Sequence, residues 1–282
     1  MSEYFRWRKM TKRDIPLTEK MLRGMEEDCV SACGRFLSRG PSNDRVWILR
    51  GKKNELSGLI VNSRSTLMPV FCGMEEIPKP LFLKGFFRVK KIHSVQGLKN
   101  EVLVMEKEME QLGRETADIM DYDLMCIDKL PSQSGCSQGP VNLVLRVPQL
   151  TDLDAMAPLQ ASYEQEEVLP RGSTFSPAAS RTNLANIIAG GRILAAQLDG
   201  RFIGKINVSA VSFTRYQVGG VYVHPDFRGL GIARRMASEF IRSLINEGMG
   251  VTLFVKKNNL PARRLYAGLG FAIRSDYRIT YY

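Results

Sequence analysis

The chain has 282 residues, 44% of them apolar, which is enough for two modest domains or one large one with real cores. No apolar run approaches the ~20 residues that cross a bilayer, and Met1 to Arg8 carry no apolar signal segment, so the expected location is cytoplasmic. The formal net charge of +11 favours anionic partners. The basic residues fall in scattered pairs such as Arg234–Arg235 and Arg263–Arg264, which argues for a solvated positive surface over a nucleic-acid footprint.

In chain order, Phe5 to Met10 alternates as a strand that carries Arg8, and Asp14 follows as a helix N-cap. Val46-Trp47-Ile48-Leu49 leads through a polar turn at Gly51 to Glu55 into Leu56-Ser57-Gly58-Leu59-Ile60, a strand–turn–strand unit. Beyond it come Pro69, Gly73, Pro78, Pro80 and the Lys90-Lys91 pair. A helix is expected over roughly Lys99 to Leu112. Pro131 to Pro140 is small, polar and flanked by prolines, and reads as a linker between a domain at 1–135 and a second at 141–282.

The second half repeats the first. Leu143 to Leu153 is again a strand with an Arg, Arg146, and an Asp six residues on, Asp152, which with Thr151 suits a helix start. Ile193 to Ala196 leads through Asp199-Gly200-Arg201 to Phe202-Ile203-Gly204-Lys205-Ile206, with a glycine inside the second strand as at Gly58. One such repeat suggests a duplicated domain and no solenoid.

The segment from Val218 carries the chemistry. Gly219 to Val223 is a short strand, and Pro225 ends its ladder. Arg228-Gly229-Leu230-Gly231-Ile232-Ala233 follows. A helix is then expected from about Ile232 to Asn246, with apolar residues at helical spacing and Gly248 as its stop. A strand, a glycine turn and a helix start form an anion site, because the first helical N–H groups lack internal partners and carry the positive end of the dipole. Arg228 and Arg234 add fixed charge. The spacing fits neither a dinucleotide fingerprint nor a P-loop. Val251 to Val255 is a further strand, Lys256 to Asn259 a turn, Leu260 to Tyr266 a short helix with Pro261 in its first turn, and Tyr277 to Tyr282 a last strand.

Val-Tyr-Val-His-Pro-Asp-Phe-Arg-Gly-Leu-Gly-Ile-Ala at 221–233 and Asn-x6-Tyr-x2-Leu-Gly-Phe at 259–271 resemble the GNAT acetyltransferase superfamily. The resemblance covers Arg146 to Tyr282, and the whole chain resembles two-module GNAT proteins whose N-terminal half is a degenerate copy. It implies an α/β fold of two GNAT-like modules, each a mixed, mostly antiparallel twisted sheet flanked by helices. It also implies an N-acetyltransferase that moves an acetyl group from acetyl-CoA to a primary amine. Val221, Tyr222 and Val223 would line the cofactor, with the backbone of Val221 and Val223 holding the pantetheine arm and the acetyl carbonyl. The amides from Arg228 through Gly229, Leu230, Gly231, Ile232 and Ala233 to Arg234 would hold the pyrophosphate, and Asn259 would touch the CoA. The Tyr266 hydroxyl would protonate the leaving thiolate. A core aromatic remains the plain alternative for Tyr266, and a helix N-cap for Asn259.

The family often carries a carboxylate or histidine on one of its two central strands as general base. Gln217 to Val223 and Thr252 to Val255 contain neither. His224 suits the turn, and the Glu164, Glu166, Glu167 cluster reads either as a solvated helix face or, through Glu167 or Glu166, as a group that orients an amine or receives its proton through water. The missing base keeps a non-catalytic acyl-CoA-binding protein in play. The N-terminal half has no phosphate loop, since Gly97 stands alone, and is expected to bind no CoA; homodimerisation is left open. Five cysteines and two histidines are too dispersed for zinc, so no metal is expected, and reduced structural thiols are the default.

Overall fold

The computed structural model describes residues 6–38, 45–51, 53–72, 92–131 and 140–282. Ser132 to Gly139 of the expected linker, together with Cys136, Gly73, Pro78, Pro80, Lys90 and Lys91, lie outside the described residues.

The first half contributes β1 (Arg6–Lys9), β2 (Arg45–Arg50), β3 (Leu56–Ser63), β4 (Thr66–Phe71), β5 (Ser94–Leu98) and β6 (Asp118–Ile127). The second contributes β7 (Leu143–Arg146), β8 (Ile193–Leu198), β9 (Arg201–Val211), β10 (Arg215–Val223), β11 (Gly250–Lys256) and β12 (Ala272–Tyr281). Among the described residues they join one twelve-stranded sheet in the order β1-β2-β3-β4-β5-β12-β6-β11-β10-β9-β8-β7. Read inward from either edge, the two halves run in the same order. Each half's last strand is exchanged: β12 lies against β5 and β6 against β11. The two exchanged strands pair with each other from Ala272↔Cys126 to Tyr281↔Asp118. The sequence repeat is therefore a structural one. The halves share a single sheet, which alternation along the chain does not foretell, because strand pairing is non-local.

Helices cover both faces. Among the described residues, α1 (Ile15–Gly24), α2 (Val30–Leu37) and α3 (Lys99–Gln111) belong to the first half. The second half supplies α4 (Leu153–Tyr163), α5 (Pro177–Ala189), α6 (Ile232–Asn246) and α7 (Leu260–Gly268). On one face of the second half, α4 and α5 bury Met156, Leu159, Leu184 and Ile188 against Ala195, Phe202 and Tyr222. On the other, α6 and α7 bury Met236, Phe240, Ile241 and Tyr266 against Val218, Val251, Leu253 and Val255. Each fully buried side chain of this size contributes about 1.5–3 kcal/mol.

The repeated Arg and Asp residues meet in both halves. Arg8 donates to Asp14 at 2.7 and 2.5 Å, and Arg146 to Asp152 with both contacts at 2.8 Å. The same carboxylates accept from the backbone N–H groups of Thr11 and Gln149. Both Asp residues stand at the N-cap position expected of them, but neither side chain caps its helix. Each points back and clamps the preceding strand, because a bidentate guanidinium is a stronger partner than one amide. The glycines inside β3 and β9 have a packing cause. A Cβ on Gly58 would lie 2.5 Å from the Phe71 ring, and one on Gly204 would lie 3.2 Å from the Tyr222 carbonyl oxygen.

The halves also dock directly. Glu26 accepts from the backbone N–H of Thr214 at 2.6 Å and from its hydroxyl at 2.7 Å. A Cβ on Gly34 of α2 would lie 2.7 Å from the carbonyl oxygen of Val211 at the end of β9. Backbone cannot move aside there, so Gly34→Ala would push α2 off the second half.

Candidate acyl-transfer site

The parallel strands β10 and β11 pair only from Arg215↔Gly250 to Val218↔Leu253. Beyond that point β11 stays with β6 as far as Lys256↔Tyr122, while β10 follows β9, so the two splay into a V. On β10 the register passes from Gly219↔Asn207 to Tyr222↔Lys205. Gly220 and Val221 thus oppose the single residue Ile206 and form a bulge. Gly220 has φ +62°, which suits glycine.

Past Val223 the chain makes a 3-10 turn at Pro225–Phe227 and enters the glycine loop. Gly229 and Gly231 both sit in the left-handed region, at φ +81° and +74°. Gly231 is the N-cap of α6 and offers no side-chain cap, so the first N–H groups of this fifteen-residue helix face outward with the positive end of the dipole behind them. A Cβ on Gly229 would meet nothing within 4 Å, so this glycine serves the turn and leaves open space in front of it. The residues present therefore fit an anionic group such as a pyrophosphate. Arg234 runs under the end of α7, with Nη2 2.9 Å from where a Cβ on Gly268 would stand.

Arg228 is bound at two points. Its Nε donates to the Val223 carbonyl at 3.0 Å, and its Nη2 reaches Glu166 at 2.8 Å. Glu166 also accepts from the Tyr222 hydroxyl at 2.9 Å, and the Arg228 guanidinium holds its carboxyl below the usual carboxylate range. Glu167 pairs with Lys256 at 2.9 Å. Glu164 accepts from Gln160 at 2.7 Å and Asn183 at 3.0 Å. The acidic cluster is thus an engaged set and not a solvated face. It lies on a π turn, Glu164–Val168, closed by a bond from Leu169 N–H to the Glu164 carbonyl. That turn straps the glycine loop and the end of β11 across the splay.

Tyr266 is 6% exposed and packs edge-on to Phe271 at 5.8 Å. Burial, with Tyr163 and Glu167 nearby, holds its hydroxyl above the ordinary tyrosine range, so it stays protonated at neutral pH. Asn259 caps α7, its Oδ1 accepting from Ala262 N–H at 3.1 Å. His224 accepts from Asp226 N–H at 3.4 Å and packs on Phe227, as a turn residue does. Leu230 is half exposed at the loop tip, and Ile232 anchors the helix start in the core. Beside the splay opens a cleft of about 770 Å³ lined by Asp118, Asp121, Glu166, Arg171, Lys256 and Lys257. No cluster of His, Cys, Asp or Glu among the described residues could hold a metal ion, and no helix there is long and apolar enough to cross a membrane.

Sequence reasoning missed two members of the site. Tyr163 at the end of α4 lies against Tyr222, ring centroids 6.1 Å apart, and burial pushes its hydroxyl up to about 12. Lys205 is fully buried beneath it. The available signal was a lysine in the middle of an apolar strand, where an unpaired charge is costly.

The first half has a counterpart that is filled. β4 and β5 pair in parallel only at Thr66↔Ser94 and Leu67↔Val95, then splay. Glu101, from the first turn of α3, reaches across, and its Oε1 accepts from the N–H of Phe71, the last residue of β4, at 2.7 Å. Burial pushes this carboxyl up to about 8.

Comparison with known proteins bears on the family of the second half and on the fold of the whole chain. Residues 157–271 match the family model described as Acetyltransferase (GNAT) family. No curated protein matches the chain. Among solved structures, a GCN5-related N-acetyltransferase from Sphaerobacter thermophilus superposes with TM-score 0.62 at 19% identity, covering 99% of this chain and 95% of that one. A tandem GNAT protein from the clavulanic acid biosynthesis pathway gives 0.65 at 14%, covering 98% and 97%. A GNAT-family acetyltransferase from Colwellia psychrerythraea gives 0.55 at 10%, covering 98% of each. At these identities the likeness concerns the fold, and it extends over both halves. GNAT domains bind acetyl-CoA in general, and residues 157–271 form a domain of the GNAT acetyltransferase family.

Proposed function

We propose that the second half transfers an acetyl group from acetyl-CoA to a primary amine. The observation that carries this reading is the V between β10 and β11, with the open start of α6 at one end and the buried Tyr266 in its wall. Acetyl-CoA, when bound, supplies an acyl carbon activated as a thioester. The amides from Arg228 to Arg234 would hold the pyrophosphate, with the guanidinium of Arg228 beside it. Val221 in the bulge and Val223 beyond it would offer backbone N–H groups, and such preorganised donors stabilise negative charge on an acyl oxygen. Asn259 stands at the start of α7 on the same side.

Tyr266 holds its phenolic proton in a dry site, and a proton held there is available to a leaving thiolate. Glu167, paired with Lys256, would receive the proton an amine gives up. The acceptor enters through the polar cleft beside the π turn. Tyr266→Phe tests the reading. Calorimetry should show acetyl-CoA bound as in the wild type, while turnover with an amine acceptor falls about 10²-fold or more, the scale of general acid catalysis. Binding without turnover in the wild type itself, across an acceptor screen, would make the protein an acyl-CoA binder and not an enzyme.

A further inference from the structure

Lys205 lies on β9 opposite Tyr222 and is 0% exposed. Its ammonium has three N–H donors and three neighbours to take them. Nζ donates to the Gly220 carbonyl at 3.0 Å and to Asn207 Oδ1 at 3.3 Å, and it stands 4.2 Å from the centroid of the Tyr163 ring. Gly220 is required on two counts. Its φ is +62°, and a Cβ there would lie 2.0 Å from Asn207 Oδ1 and 2.7 Å from Lys205 Nζ. Lysine, asparagine and glycine thus form one fitted unit at the bulge.

The Gly220 carbonyl belongs to the same peptide group as the Val221 N–H. The chain has no cis peptide among its described residues, so in this planar trans unit the N–H points opposite to the carbonyl. The carbonyl is turned to the face of α4, where Lys205 waits. The Val221 N–H is therefore turned to the face of α6 and α7, at the splay. A cation bonded to the carbonyl end also polarises the group and strengthens the donor at its other end.

We propose that Lys205 is a positioning residue for the acyl site: it grips the Gly220 carbonyl, fixes the plane of the Gly220–Val221 peptide, and so aims the Val221 N–H at the acyl oxygen. The inference rests on the reading that acetyl-CoA occupies this splay. The groups that face Lys205 are few. Tyr163 comes from α4, Glu164 from the π turn, Tyr222 and Gly220 from β10, Asn207 from β9 itself and Ala195 from β8. Burial pushes Lys205 down to about 7, with the charge of Glu164 pulling it back up. Tyr163 and Tyr222 are pushed upward, out of that range.

Two measurements test this. Calorimetry on Lys205→Met, which keeps the stem and removes the donors, should leave free CoA binding within about twofold of the wild type. It should weaken acetyl-CoA by about fivefold or more, the scale of one neutral hydrogen bond. Equal weakening of both ligands, or of neither, overturns the proposal. In the unliganded wild type, the Val221 amide ¹⁵N resonance should titrate with a midpoint near neutrality. His224→Gln should keep that titration and Lys205→Met should lose it. A Val221 amide indifferent to pH between about 6 and 8 in the wild type also overturns the proposal, and this result needs no variant to fold. If the wild type binds neither CoA nor acetyl-CoA, the cofactor reading fails, while the Val221 titration still decides whether Lys205 sets the peptide.

Discussion

Arg228, which opens the glycine loop, is held 2.8 Å from Glu166 of the π turn. A carboxylate on the loop's arginine occupies the charge that a pyrophosphate would claim. A pyrophosphate bound at the loop would therefore compete with the π turn for one guanidinium. Both side chains are partly exposed, at 46% and 39%, so the pair is worth at most about 1 kcal/mol.

Glu166→Gln should tighten CoA by a factor of about two to five, since that energy no longer has to be given up. The Tyr222 hydroxyl keeps an acceptor in the glutamine oxygen. Calorimetry at low salt measures the change, and an affinity unchanged or weakened would show that Arg228 does not leave Glu166 for the cofactor.

Glu101 closes the splay of the first half with a carboxyl that burial pushes up to about 8, against an ordinary value of 4.5. In that window the unfolded chain binds fewer protons than the folded one, so this residue's contribution falls as pH rises from 4.5 to 8. Glu101→Gln keeps the acceptor for Phe71 N–H and removes the titration. The variant should gain stability over the wild type as pH is raised from about 5 to 9, by on the order of a few kcal/mol at most. Urea midpoints at the two pH values measure it, and a constant difference would mean the carboxyl is ionised in place.

Asp152, clamped by Arg146, is held down to about 2 from an ordinary 3.8. Its contribution is fully present above the higher value and is lost as pH falls through the lower one. Asp152→Asn should cost about 1 kcal/mol at pH 7, as a partly buried bidentate pair does. The difference in thermal midpoint should close as pH falls from about 4 to 2. A gap that persists in acid would assign the cost to lost packing.

Much of this was readable in the chain. The glycine loop and its helix follow from local rules: glycine at left-handed φ, a helix start with no side-chain cap, and apolar spacing from Ala233 to Ile245. The repeat was legible because Arg8 and Asp14 recur as Arg146 and Asp152. Their carboxylates looked like helix caps, and the preceding arginine claimed them instead, which needs knowledge of where the strand ends relative to the turn. The exchange of β6 and β12 was not legible, because both strands read alike and nothing local says which edge each will join. Lys205 was hidden for the opposite reason. Its neighbours Ile203 and Ile206 mark an ordinary strand, and only the bulge at Gly220 across the sheet gives the lysine a purpose.

Acetyl-CoA is proposed to bind one half of this duplicated chain, at the loop from Arg228 to Arg234. Titrating acetyl-CoA into the intact protein beside a Gly231→Glu variant tests it directly. Gly231 sits at φ +74° at the mouth of α6, so glutamate there adds backbone strain and places a negative charge where the phosphates would lie. The wild type should show one site per chain and the variant none. Two sites, a single site that survives the substitution, or no binding at millimolar cofactor would contradict it.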